Sequence, residues 1–241
     1  GMTLWLLSMT LFVVSSLLGS LNYIVTIINL RTKGLSMTRL PLTIWAFFVT
    51  AILGVLSFPV LVSAIVLLLM DRMMGTAFYL SDIFIGGEAL DATGGSPILY
   101  QHLFWFLGHP EVYVLLLPAI ACVAEIIPCN TRKPLWGYKP MVWSVVALGF
   151  LSFVVWAHHM YLTGMGPVIS TFFQTTTILI SVPSVILLTS MIISLWGGSI
   201  RFTMPMIWAA AFLPMFGIGG LTGLPLAFNL ADLHLHDTYY V

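Results

Sequence analysis

A chain of 241 residues that is 60% hydrophobic and 7% charged, against about 25% charged in an average soluble domain, is excluded from the water-soluble folds. Eight basic and eight acidic residues give a formal charge of zero, so there is neither a basic surface for nucleic acid nor an acidic tail. A span needs about 20 apolar residues, so the chain reads as one all-α transmembrane domain over 1–241, a polytopic helical bundle of about six spans.

In chain order, the apolar runs fall near 4–30, 40–70, 98–127, 140–160, 169–195 and 205–227. Helices are expected, because a barrel would show short alternating segments and a backbone in hydrocarbon must satisfy its own polar groups. The opening Gly1-Met2-Thr3-Leu4 enters the first run without a basic n-region, so it reads as neither a signal peptide nor an ordinary start but as a fragment or split piece of a longer chain. The first connection carries Arg31, Lys33 and Arg39, the second Arg72, the third Arg132, Lys133 and Lys139, and the fifth Arg201. Seven of these eight cations fall on one side of a six-span bundle. Positive residues stay inside, so both chain ends are expected on the outer side. Cys122 and Cys129 are expected to be packing residues rather than a ligand pair or a disulfide framework.

An ionisable residue within a span is costly and marks function by default. The third span holds His102, His109, Glu111 and Tyr113, and the fourth ends in His158-His159. Antiparallel neighbours would bring His109 and the His158-His159 pair to similar depth, and three neutral imidazoles in a dry site can bind copper, zinc or iron. Tyr113 is four residues from His109 and shares its helix face. Against this, a lone membrane histidine is more often an interhelical hydrogen-bonding group; three that can converge, with an acid and a phenol, reverse that preference. Glu111 reads either as a structural acid bonded to backbone carbonyls or as a proton carrier. Glu125, at the inner helix end, reads as interfacial. His236-Asp237 could be exposed polar residues or ligands to a hard metal.

The run Trp105-Phe106-Leu107-Gly108-His109-Pro110-Glu111-Val112-Tyr113, then Trp156-Ala157-His158-His159-Met160-Tyr161, then His236-Asp237-Thr238-Tyr239-Tyr240 resembles the catalytic subunit (subunit I) of heme-copper cytochrome oxidases. The likeness extends over essentially the whole chain, whose spans resemble helices four to nine of the twelve in that family. It implies that His109, His158 and His159 are the ligands of the active-site copper. It further implies that Tyr113 is the tyrosine joined to the first of them, and that Glu111 ends the D proton pathway with Ser15, Ser16 and Asn22 lower along it. His236 and Asp237 match ligands of a magnesium or manganese site, and Asp232 a residue near a heme propionate. The heme axial ligands would lie outside this chain, in the remaining part of subunit I, leaving it inactive alone. The resemblance implies a respiratory-chain oxidoreductase that reduces dioxygen and pumps protons. Its electrons would come from cytochrome c through the dicopper centre of subunit II, with subunit III as a further partner. The setting would be the lipid of a bacterial plasma membrane or the mitochondrial inner membrane.

The sequence departs from that pattern in places. Leu187 stands where the K pathway carries a lysine, four residues after the proline of Val182-Pro183-Ser184, and Thr10 and Phe12 replace a His and an Ala. Leu187 favours a nitric oxide reductase-like alternative, against which Glu111 and Tyr113 argue. An alternative of a different class is a metal-free transporter or structural membrane module.

Overall fold

The computed structural model describes residues 1–89 and 94–241. The protein is an integral membrane protein, an all-α bundle whose six long apolar helices can each cross a bilayer. They are α1 (Met2–Asn29), α2 (Leu42–Met73), α3 (Pro97–Thr131), α4 (Tyr138–Ser152, continued by a 3₁₀ segment over Trp156–Thr163), α5 (Gly166–Leu195) and α6 (Met204–Leu226). A short helix, α7 (Asn229–Leu235), follows the sixth span, and a two-residue antiparallel ladder pairs Phe84–Ile85 with Glu88–Ala89 in the second connection.

Local chemistry sets where the helices stop. Ser96 caps α3 by accepting the Ile98 N–H on its hydroxyl, with Pro97 at the first helical position, where a missing N–H costs nothing. The same helix ends at Arg132 in the left-handed conformation (φ 57°). At the start of α2, Glu125 accepts the Thr43 N–H at 3.0 Å. The residue expected to be merely interfacial therefore holds a helix N-terminus, where a carboxylate is favoured.

The fourth span differs from its expected form. It is not one helix over 140–160 but an α-helix ending at Ser152 and a 3₁₀ segment bent at Met160. The tightening begins where Phe153 N–H donates to the Phe150 carbonyl and Val154 N–H to that of Leu151. Gly164, at φ 78°, closes the segment in a conformation that glycine adopts without strain. Non-helical backbone at membrane depth is tolerated where protein or a cavity surrounds it, and here it packs on α3, α5 and α7.

The main core gathers α2 to α6 around Leu117, Ile120, Met141, Leu148, Leu187 and Met206. A second cluster joins α1, α2 and α3 through Leu6, Val13, Phe58 and Leu107, and a third, small one surrounds the 3₁₀ segment with Ala157, Met160, Tyr161 and Phe173. Cys122 and Cys129 are free and exposed on α3, so they do not pack within this chain.

Candidate metal centre

The ring nitrogens of His109, His158 and His159 lie within 4.8 Å of one another. His109 comes from α3, is 6% exposed, and points its Nδ1 at His159 Nε2 across 3.1 Å. His158 and His159 are half-buried on the 3₁₀ segment, and their Nε2 atoms are 3.1 Å apart. Adjacent side chains on a 3₁₀ segment point about 120° apart, so both rings must turn back to meet. His158 is held from behind by Thr177, its Nδ1 2.8 Å from Oγ1. Trp105 stacks on His159 with centroids 4.0 Å apart and planes 10° from parallel.

Trp105, His109 and Tyr113 recur every fourth residue and form one stripe on α3. Tyr113 is buried with its ring centroid 4.9 Å from that of His109, and it lines a cavity of about 480 Å³ together with His158, Thr177, Ser181 and Ser184. On α6 the far wall is Gly219, Gly220 and Gly223, where an added Cβ would meet nothing within 4 Å. A second cavity, about 280 Å³, touches His158 and His159 and reaches Asp232 and His236.

The nitrogen positions fit a soft or borderline cation. His159 Nε2 faces two other ring nitrogens at 3.1 Å, and one proton cannot serve both contacts. A trigonal set of imidazoles around one ion, at about 2.0 Å each, would hold its nitrogens about 3.5 Å apart. The donor set is all imidazole and suits copper. For a flat macrocyclic cofactor, the 480 Å³ cavity offers walls but, among the described residues, no axial ligand, since the one imidazole lining it is His158 of the cluster.

Other expected site residues fall in separate places. Glu111 is half-buried and shares a cavity of about 360 Å³ with Ser16, Ser20, Tyr23 and Thr50 between α1, α2 and α3. Ser15 and Asn22 lie on the exposed face of α1, where Asn22 Oδ1 accepts the Thr26 hydroxyl at 3.3 Å. His102 is exposed and accepts the Trp156 indole N–H at 3.3 Å.

Beyond the last span, His236 Nδ1 is 3.2 Å from Asp237 Oδ2, and Asp237 is exposed at φ 56°. This pair offers two donors, fewer than the six or more oxygens and nitrogens a hard dication takes. Among the described residues, only the histidine trio brings three candidate ligands together. Asp232 is buried, and burial pushes its carboxyl up from its ordinary value; His236 opposes this and Asp237 adds to it. Tyr161 donates its hydroxyl to the Ala227 carbonyl at 3.1 Å and Gln174 Oε1 accepts the Asn229 N–H at 3.2 Å, which together hold α7 over the cluster.

The family profile described as cytochrome c and quinol oxidase polypeptide I matches residues 1–241. The chain is 46% identical over 241 residues to the alternative cytochrome c oxidase subunit 1 of Bradyrhizobium diazoefficiens, covering 100% of this chain and 41% of that protein. It is 46% identical over 227 residues to the cytochrome c oxidase subunit 1 of Cereibacter sphaeroides, covering 94% and 38% respectively. The chain therefore spans about two fifths of the length of the curated relatives it matches.

Proposed function

The chain belongs to the cytochrome c and quinol oxidase polypeptide I family, and we propose that it forms the central part of a terminal respiratory oxidase subunit I that reduces dioxygen to water and pumps protons. The observation that carries this reading is the convergence of the His109, His158 and His159 ring nitrogens within 4.8 Å. Copper held by these three residues would supply a redox centre beside a heme whose axial ligands come from the remaining part of the subunit. Among members of this superfamily, Glu111 and Tyr113 favour oxygen over nitric oxide as substrate.

The roles of the chain's own residues follow from their positions. Thr177 and Trp105 fix the orientations of His158 and His159. Tyr113, beside His109 on the wall of the 480 Å³ cavity, can give a proton from its Oη to a reduced oxygen species. Glu111 can carry protons, receiving them through the cavity it shares with Ser16, with Ser15 and Asn22 further along α1. With Leu187 buried in the core, α5 carries no ionisable side chain, and its polar groups lining the cavity are the Thr177, Ser181 and Ser184 hydroxyls. His236 and Asp237 would contribute two ligands of a magnesium or manganese site completed from elsewhere, and Asp232 would lie near a heme propionate.

In the assembled enzyme, subunit II with its dicopper centre, subunit III and cytochrome c are the partners. The membrane is the bacterial plasma membrane or the mitochondrial inner membrane, and both chain ends face its outer side, in keeping with the basic odd-numbered connections.

The test is His158→Ala in the full-length subunit within its complex. The variant should lose about one equivalent of copper and its oxygen reduction. Copper content equal to that of the unmodified complex would overturn the assignment.

A further inference from the structure

We propose that the groove between the N-terminal turns of α2 and α4 binds one anionic phospholipid, with Lys139 on the phosphate and the apolar floor of the groove along an acyl chain. The cavity measures about 380 Å³ and is lined by Trp45, Tyr138, Lys139, Val142, Trp143 and Val146, with the connection at Met37 and Thr38 beside it. The polar and aromatic residues stand at the helix starts, where amphipathic rings mark the headgroup level. Val142 and Val146 follow on the same face of α4, one turn apart and deeper. Tyr138 donates its hydroxyl to the Leu40 carbonyl, which fixes the connection against α4 and keeps the groove formed.

Charge decides the occupant. Three other charged groups on this side of the bundle are used internally: Arg31 donates to the Ile27 and Leu35 carbonyls, Lys133 to that of Trp196, and Glu125 accepts the Thr43 N–H. Arg39, next to the groove-lining Met37 and Thr38, is exposed and adds positive charge at the groove. Lys139 is exposed and makes no ion pair among the described residues. It also occupies the first turn of α4, where the helix dipole disfavours a cation and welcomes an anion. An apolar partner helix would fill the groove and leave this ammonium unpaired. A phospholipid with a net negative headgroup pairs it while placing hydrocarbon on Val142, Val146 and the 72%-exposed Trp143.

The assembled complex, stripped of lipid in detergent, is titrated with phosphatidylglycerol or with phosphatidylcholine of the same chains, and bound lipids are counted by native mass spectrometry. The unmodified complex should retain one phosphatidylglycerol more than Lys139→Gln, whose affinity for that lipid falls about fivefold, the weight of one lysine at an anionic surface. Lys139→Arg should retain it. Val142→Trp fills the groove with the charge intact and should lose both lipids at this site. Copper content, heme content and turnover in detergent equal to the unmodified complex certify that the variants are folded. An unchanged preference for phosphatidylglycerol in Lys139→Gln, unchanged binding in Val142→Trp, or a protein segment cross-linked at Trp143 would overturn the proposal.

Discussion

Thr177 determines which nitrogen of His158 carries the proton. Its Oγ1 donates its one hydrogen to the Phe173 carbonyl at 2.6 Å and lies 2.8 Å from His158 Nδ1. With the hydroxyl proton committed, Oγ1 can only accept, so Nδ1 carries the hydrogen and Nε2 keeps a lone pair aimed at His159 and His109. A metal ligand needs that lone pair, and a partner behind the ring sets both tautomer and direction. Thr177→Val keeps the shape and removes the acceptor. Copper affinity should fall about 10- to 100-fold, read as faster loss to a chelator from the full-length subunit, while Thr177→Ser retains it. Equal retention in the Val variant would remove Thr177 from the site.

Glu111 and Ser16 share a cavity on the face of α3 opposite the tyrosine stripe. A carboxyl can take up and release a proton; a carboxamide of the same shape cannot. Glu111→Gln should slow turnover at least about tenfold, equivalent to roughly 1.4 kcal/mol in the barrier, with copper and heme content unchanged. Normal turnover and pumping in this variant, together with failure of Ser184→Ala, would place proton entry along α5 instead.

The spans were readable because each is a long apolar run set off by polar, cationic or Gly/Pro-containing connections, and three histidines at matching depth marked the candidate metal centre. What escaped has identifiable causes. The break after Ser152 has no glycine or proline to announce it, since Phe153, Val154 and Val155 continue the apolar run. Thr177 gave no signal because a hydroxyl in an apolar helix ordinarily bonds the preceding turn's carbonyl, which it also does. The role of Glu125 depends on a partner 82 residues away. Hydropathy places Cys122 within a span and Cys129 just past its end but does not say which face of the helix turns outward, and both are exposed.

Tyr79, in the connection after α2, donates its hydroxyl to the Ala64 carbonyl at 3.1 Å. Burial pushes its phenol up from 10.0 to about 12, with Asp71 and Tyr100 adding to the rise. A raised folded value means the neutral form is the one stabilised. The contribution is therefore whole below pH 10 and is lost as pH climbs from there through about 12. Ultraviolet titration of the unmodified protein minus Tyr79→Phe should show one tyrosinate appearing near the upper end of that window. At neutral pH, loss of the hydrogen bond should cost about 1 kcal/mol. A difference titration centred at the ordinary value would refute the buried, bonded phenol.

Gly149 of α4 lies against Val49 of α2 so closely that an added Cβ would stand 2.4 Å from Val49 Cγ1. Small residues let membrane helices approach in this way. Valine in a helix holds essentially one χ1 rotamer, so Val49 cannot swing aside; only helix separation could admit the methyl. Gly149→Ala should therefore destabilise by about 1–3 kcal/mol despite the better helix propensity of alanine. Val49→Ala alone should also destabilise, through the space it leaves at a buried position. The obstruction is Cγ1, while Val49 Cβ stays 3.9 Å away, so removing Cγ1 makes room for the new methyl. The double variant should then be more stable than the sum of the two losses predicts, and more stable than Gly149→Ala itself. Thermal unfolding of the four forms in detergent measures the coupling, and strictly additive losses would show that this contact does not set the α2–α4 spacing.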